Sequence, residues 1–173
     1  MPETLRFLGK AAFNFCERLT EIRLPAKIGV IEKYTFYGCK NLETVALSDA
    51  IRKIEENAFG DCVRLHSIIF PATLLRIGRR AFYNCGTLSE VVLPDSLKII
   101  EEGAFYRCGK IERIILNEEL SFIGKFAFGE CTSVRELIYK GSVAQWKEIE
   151  KGQAWNDCLP VEKIICKDGE VKL

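Results

Sequence analysis

The sequence predicts a repeat solenoid, an α/β coil built mostly of short parallel β-strands with 23-residue rungs. Three observations predict it. Cys16, Cys39, Cys62, Cys85, Cys108 and Cys131 recur every 23 residues. Phe13, Phe36, Phe59, Phe82, Phe105 and Phe128 stand three residues before them. Aliphatic residues fill further columns with the same period. Such a period marks units that cannot bury their own apolar face and therefore stack on their neighbours.

Within a rung the elements follow in order. After each cysteine come Leu19, Leu42, Leu65, Leu88, Ile111 and Val134, then Ile22, Val45, Ile68, Val91, Ile114 and Leu137. Next come Leu24, Leu47, Phe70, Leu93, Leu116 and Tyr139. The last two columns are two residues apart, so they share one side of a strand and the intervening residues face the other. Pro25, Pro71 and Pro94 end that strand. Two more inward columns follow, Ile28, Ile51, Leu74, Leu97 and Leu120, then Ile31, Ile54, Ile77, Ile100 and Ile123, the second on another short extended stretch. The Ala-Phe-x-x-Cys segment reads as a tight helical turn closing the coil.

The two ends depart from the period. Met1-Pro2-Glu3-Thr4-Leu5 matches Leu93-Pro94-Asp95-Ser96-Leu97, so the chain begins in mid-rung. A solenoid end needs a polar cap. The expectation is therefore a piece of a longer chain, natural or trimmed, or a protein whose open end a partner covers. At the other end Ser142-Val143-Ala144-Gln145 has capping-box spacing. It predicts a helix to about Lys151, with Val143, Trp146 and Ile149 inward and Gly152 as the stop. Ala154-Trp155-Asn156-Asp157-Cys158 reads as a further Ala-Phe-x-x-Cys, 27 residues after the last, with Val161, Ile164 and Cys166 inward. The organisation expected is six repeats over residues 1–141 and a capping repeat with an inserted helix over 142–173, about seven rungs and ~30–35 Å at sheet spacing.

Residues 74–85, Leu-Leu-Arg-Ile-Gly-Arg-Arg-Ala-Phe-Tyr-Asn-Cys, resemble the BspA-like, or Treponema-type, leucine-rich repeat. Residues 139–149, Trp155-Asn156 and Cys166-Lys167-Asp168-Gly169 resemble that family's last repeat. The resemblance implies a right-handed leucine-rich-repeat coil and a bacterial surface or secreted protein. Some members attach to host matrix proteins or to other bacteria. No family active site exists to carry over.

Composition narrows the function. Twenty-five basic and 24 acidic residues give a net charge of +1, against a nucleic-acid partner. No apolar run approaches the ~18 residues of a membrane span. Residues 1–15 carry Glu3 and no apolar core, unlike a signal peptide, so the chain is cytoplasmic or part of a longer secreted one. His66 is the single histidine, which makes acid–base catalysis and zinc poor readings. No paired-carboxylate spacing, nucleophile elbow or phosphate loop is present. No enzyme, metal or cofactor is expected. The eight cysteines read as buried, inert side chains, because stacked thiols point in parallel and no C-x-x-C pair is present.

The outward strand positions are the candidate binding surface. Arg23, Ala46, Ile69, Val92, Ile115, Ile138 and Ile165 form one column, a continuous β-branched stripe from Ile69 onward. Such a stripe suits a protein partner; it also suits plain sheet packing. Beside it Glu21, Thr44, Ser67, Glu90, Arg113, Glu136 and Lys163 alternate in sign toward the C-terminus, as an ion ladder would. Lys33, Glu56, Arg79, Glu102 and Lys125 do the same. The partner expected is a host matrix or bacterial surface protein. The alternative is a spacer whose open first rung, near Leu5 and Phe7, stacks on another domain or on itself. His66 reads as an exposed loop residue; Tyr37, Tyr83 and Tyr106 dress the outer turns without convergent carboxylates; Trp146 and Trp155 plug the cap.

Overall fold

A computed structural model describes residues 1–173. In chain order its elements are β1 (Glu21–Arg23), β2 (Val30–Ile31), β3 (Thr44–Ala46), β4 (Lys53–Ile54), β5 (Ser67–Ile68), β6 (Arg76–Ile77) and β7 (Glu90–Val92), followed by β8 (Ile99–Ile100), β9 (Arg113–Leu116), β10 (Phe122–Ile123), β11 (Glu136–Tyr139), α1 (Val143–Glu148), β12 (Glu150–Lys151), β13 (Lys163–Cys166) and β14 (Gly169–Lys172). The even-numbered strands β2 to β12 form one six-stranded parallel sheet. The other strands form two sheets, β1-β3-β5 and β7-β9-β11-β13-β14, parallel except for the antiparallel pair β13–β14. Register advances by one period per rung: Glu21 faces Thr44, Thr44 faces Ser67 and Ile54 faces Ile77. The chain is thus the repeat solenoid that its period predicts.

The third side of each rung is the Ala-Phe-x-x-Cys turn. Its amides alternate between local and axial partners. In one rung Ala81 and Tyr83 donate three residues back to Gly78 and Arg80, while Arg80, Phe82 and Asn84 donate to Glu102, Ala104 and Tyr106 of the next rung. The alternation requires two left-handed residues per turn. They are the residue before the alanine and the residue before the cysteine, such as Asn57 (φ 52°) and Asp61 (φ 58°). Left-handed backbone costs a non-glycine residue roughly 1–2 kcal/mol; the axial hydrogen bonds offset it.

The core is a set of stacked columns. Phe13, Phe36, Phe59, Phe82, Phe105 and Phe128 form a ladder of nearly parallel rings with centroids 5.2–5.4 Å apart. Trp155 closes it edge-on at 6.4 Å. Each cysteine of the column from Cys39 to Cys131 donates its thiol to the carbonyl of the preceding rung's phenylalanine, Cys62 to Phe36 at 3.1 Å and Cys108 to Phe82 at 3.1 Å. A small side chain that packs as a hydrophobe yet donates a weak hydrogen bond suits that position.

The C-terminal rung corrects three expectations. The capping box is present, with Gln145 N donating to Ser142 Oγ at 3.2 Å and Ser142 N donating to Gln145 Oε1 at 2.8 Å. The helix, however, ends at Glu148, and Ile149 is extended. Glu150 and Lys151 instead form β12 on β10, and Lys151 Nζ donates to the carbonyls of Trp146 and Ile149 at 2.7 and 2.6 Å. Nor is Gly152 a helix stop: a Cβ there would lie 2.3 Å from Lys125 N, so close stacking excludes any larger residue.

The turn over 154–158 is also shifted by one residue from the pattern expected. Phe128 N donates to Trp155 O, as Phe105 N does to Ala127 O, and Glu130 N donates to Asp157 O, as Arg107 N does to Gly129 O. Trp155 therefore occupies the alanine column, not the phenylalanine column. Cys158 takes the left-handed position (φ 59°) and is exposed, and Leu159 stands where the cysteine would be. By β13 the register is restored, with Ile138 facing Ile165. Val161 is half-buried, while Ile164 and Cys166 are buried.

Truncating a central ring should show the weight of the ladder. Phe82→Ala removes a fully buried ring with a stacked neighbour on each side and is expected to cost about 3–5 kcal/mol. Phe13→Ala, half-buried with one stacked neighbour, should cost clearly less. Urea unfolding of both variants checks the order.

Candidate protein-binding face

The odd-numbered strands turn alternate residues outward because the intervening ones pack on the phenylalanine and leucine columns. Of the predicted stripe, Val92, Ile115, Ile138 and Ile165 lie side by side on β7, β9, β11 and β13. Val92 and Ile165 are exposed and Ile115 and Ile138 half-buried. Ile69 does not continue this row. It lies just past β5, is 86% exposed, and is separated from Val92 by a break in the sheet. The stripe is therefore four residues plus an isolated fifth.

An aromatic side chain packs beside the break. Phe70 occupies a column where Leu24, Leu47, Leu93, Leu116 and Tyr139 stand in other rungs. Its ring packs edge-on against Phe82 at 5.6 Å and reaches Phe105 at 6.4 Å. Tyr139 carries a ring in the same column, yet its strand β11 stays paired with β9 and β13. Leu24 N donates to Ala46 O and Leu93 N to Ile115 O, both at 3.0 Å, but Leu47 N and Phe70 N have no backbone counterpart. Two open depressions lie on this face. One, of about 670 Å³, lies over Thr44, Ala46 and Ser67. The other, of about 510 Å³, lies at the break between Ile69, Val92 and His66.

Charge on the C-terminal half is internally paired. Arg113 joins Glu90 at 3.4 Å and Glu136 at 2.6 Å, and Arg135 joins Glu112 at 3.8 Å. Lys163 pairs with Glu170 of β14 rather than with Glu136. These exposed bridges fix register more than they stabilise, each contributing under ~1 kcal/mol. In the second expected ladder Lys33 pairs with Glu56 at 3.0 Å and Arg79 with Glu102 at 3.5 Å, while Lys125 lies over the Phe126 ring at 4.9 Å. Arg76 is held by Glu101.

On the outer turns Tyr83 and Tyr106 stack at 6.0 Å. Carboxylates do converge here: Tyr106 donates to Glu130, and Asp61 accepts from Asn84 at 2.8 Å. Asp61 first, and burial second, push the Tyr37 phenol up to about 12. Both carboxylates are spent on the turn itself.

The thiols divide into two kinds. Burial pushes Cys39 up to about 11 and Cys131 to about 12, and raises Cys62, Cys85 and Cys108 well above the ordinary thiol value. Cys158, expected to be buried, is exposed through the one-residue shift, and Asp157 beside it raises its pKa. No three His, Cys, Asp or Glu side chains gather as metal ligands, and no helix is long and apolar enough to cross a membrane.

The BspA type leucine rich repeat region matches this chain in six copies, over residues 1–74 and 52–169. The chain belongs to that family. Among curated proteins none matches it in sequence. Among solved structures, the BspA-type chain is similar to the leucine rich repeat protein of T. pallidum, with 32% identity and TM-score 0.76, covering 83% of this chain and 64% of that one. A leucine-rich repeat protein of Bacteroides ovatus has 25% identity and TM-score 0.71, covering 88% and 41%. The pneumococcal vaccine antigen PcpA, at 18% identity and TM-score 0.65, shares the fold over 86% and 41%. The BspA-type chain thus spans less than two thirds of each. Leucine-rich repeat proteins of this kind are generally non-enzymatic, and their repeats mediate protein interactions.

Two outcomes follow for the thiols. A thiol reagent at pH 8 should modify Cys158 at once, Cys16 more slowly from its half-buried place, and the remaining six only after denaturant is added. A thiol raised in the folded state stabilises fully below its ordinary value of 9.0, and that stability is lost as pH climbs through the folded value. The melting temperature should therefore fall steadily from pH 9 toward 11–12, checked by circular dichroism at constant ionic strength.

Proposed function

We propose that this BspA-type chain is a non-catalytic, adhesion-type protein-binding module of a bacterial surface or secreted protein. Its partner, a host matrix or bacterial surface protein, contacts the outward sheet face. The carrying observation is the apolar row Val92, Ile115, Ile138 and Ile165, which nothing in the chain covers. The paired charges of Glu90, Arg113 and Glu136 flank it, and Ile69 stands across the break. A buried apolar centre with a polar border is how protein interfaces are built. The surface or secreted location comes from the family resemblance.

A second reading has its own observation. β1 and β2 are edge strands with free hydrogen-bonding groups, and Phe7 and Phe15 beside them are 64% and 57% exposed. Such an edge invites pairing, so the chain could serve as a spacer stacked through this rung on another domain or on itself.

The test is a binding screen of labelled protein against matrix proteins, mucins and bacterial surfaces. The Val92→Arg, Ile115→Arg double variant should lose its hit by at least about tenfold with unchanged melting. Binding kept by that variant but lost by Phe7→Glu favours the stacking reading.

A further inference from the structure

We infer that the recess over Ala46 on the outward sheet face binds an extended peptide segment of the partner protein, carrying one bulky apolar side chain next to a lysine or arginine. This rests on the sheet face being the binding surface and names where the partner's anchor sits.

Shape comes first. Along the first three rungs the outward residues Thr44, Ala46 and Ser67 are small, while Arg23 stands on one side and Ile69 on the other. The space between encloses about 670 Å³, enough for a large side chain and its flanking backbone. Ile69, 86% exposed, forms an apolar wall with no partner in the chain. Anchors of protein interfaces fill such depressions with bulky residues.

Backbone chemistry comes second. Sheet hydrogen bonding stops at this recess. Leu24 N reaches Ala46 O, but the next rung's Leu47 N does not reach Ile69 O, and no other donor reaches that carbonyl. Leu47 and Ile69 both line the recess. An extended peptide carries donors and acceptors in alternation, so it can serve both groups, as in other strand-to-edge recognition.

Charge comes third. Glu21, Arg23 and Asp49 line the recess, and none takes part in an ion pair. In the C-terminal half Glu90, Arg113, Glu136, Glu112, Arg135 and Lys163 are all in ion pairs, and Glu162 is the unpaired one. Two free carboxylates against one guanidinium favour a basic side chain next to the anchor.

The experiment selects a phage-displayed library of random peptides on the chain and titrates a synthetic consensus peptide against wild type and variants by calorimetry. The expected consensus is a large apolar residue adjoining Lys or Arg. Ala46→Trp, which fills the recess at an exposed strand position, and Glu21→Lys with Asp49→Lys should each weaken binding at least about tenfold, with melting unchanged. Lys53→Glu, exposed on β4 of the six-stranded sheet and away from this face, should leave it unchanged. No enriched peptide, an acidic consensus, or binding indifferent to Ala46→Trp would overturn the inference. Peptides lost on Ile115→Arg but indifferent to Ala46→Trp would overturn the recess and leave the sheet face standing.

Discussion

Everything in this coil depends on stacking one rung directly over the next at the Ala-Phe-x-x-Cys turn. A parallel sheet pairs along the coil axis by its nature, but a turn does not, because its amides normally close on their own carbonyls. Here two left-handed residues swing alternate amides onto the axis, so the turn is hydrogen-bonded both within and between rungs. That geometry brings the phenylalanine rings into register at 5.2–5.4 Å and sets each thiol over the carbonyl of the rung before it. The cysteine column is thus an axial hydrogen-bonding position that also packs as a hydrophobe.

The same requirement explains how the coil closes. A sheet edge left open is a docking site for any strand. At the C-terminal end three devices cover it. β14 folds back antiparallel on β13, Trp155 packs edge-on over Phe128 with Trp146 edge-on to it and tilted against Tyr139, and Lys151 covers the helix carbonyls with a cation over the Trp146 ring at 4.6 Å. Inserting the helix shifts the turn by one residue, and the tryptophan placed there can cover the ladder without continuing it.

Much of this was legible in the sequence, because periodicity reports burial directly. The columns from Leu19 to Ile123, both sets of strands and the capping box lie where spacing puts them. What failed was local. The turn contains glycine at only two of its left-handed positions, Gly38 and Gly103, so its composition carries little sign of the strain. The one-residue shift at 154–158 hid because Ala154-Trp155-Asn156-Asp157-Cys158 imitates the repeat, whereas hydrogen-bond register, which no spacing reveals, decides which residue stacks on which. The stripe from Ile69 to Ile165 is continuous as a column of letters and broken as a surface, because strand pairing stops between β5 and β7 and spacing does not report pairing.

That break makes a regular repeat irregular where irregularity matters for recognition. A uniform sheet face with paired charges presents the same short-range chemistry at every rung and would let a partner slide in steps of one period. The break between β5 and β7 removes that degeneracy. The first sheet ends at β5, Ile69 stands out of line, and the amides of Leu47 and Phe70 and the carbonyl of Ile69 lack backbone partners there. A partner that reads these features has one register available, so the interruption beside Phe70 converts a repeating scaffold into an addressable surface. The core can hold that residue because the phenylalanine ladder accepts it edge-on, at 5.6 Å from Phe82, without interrupting its own stack.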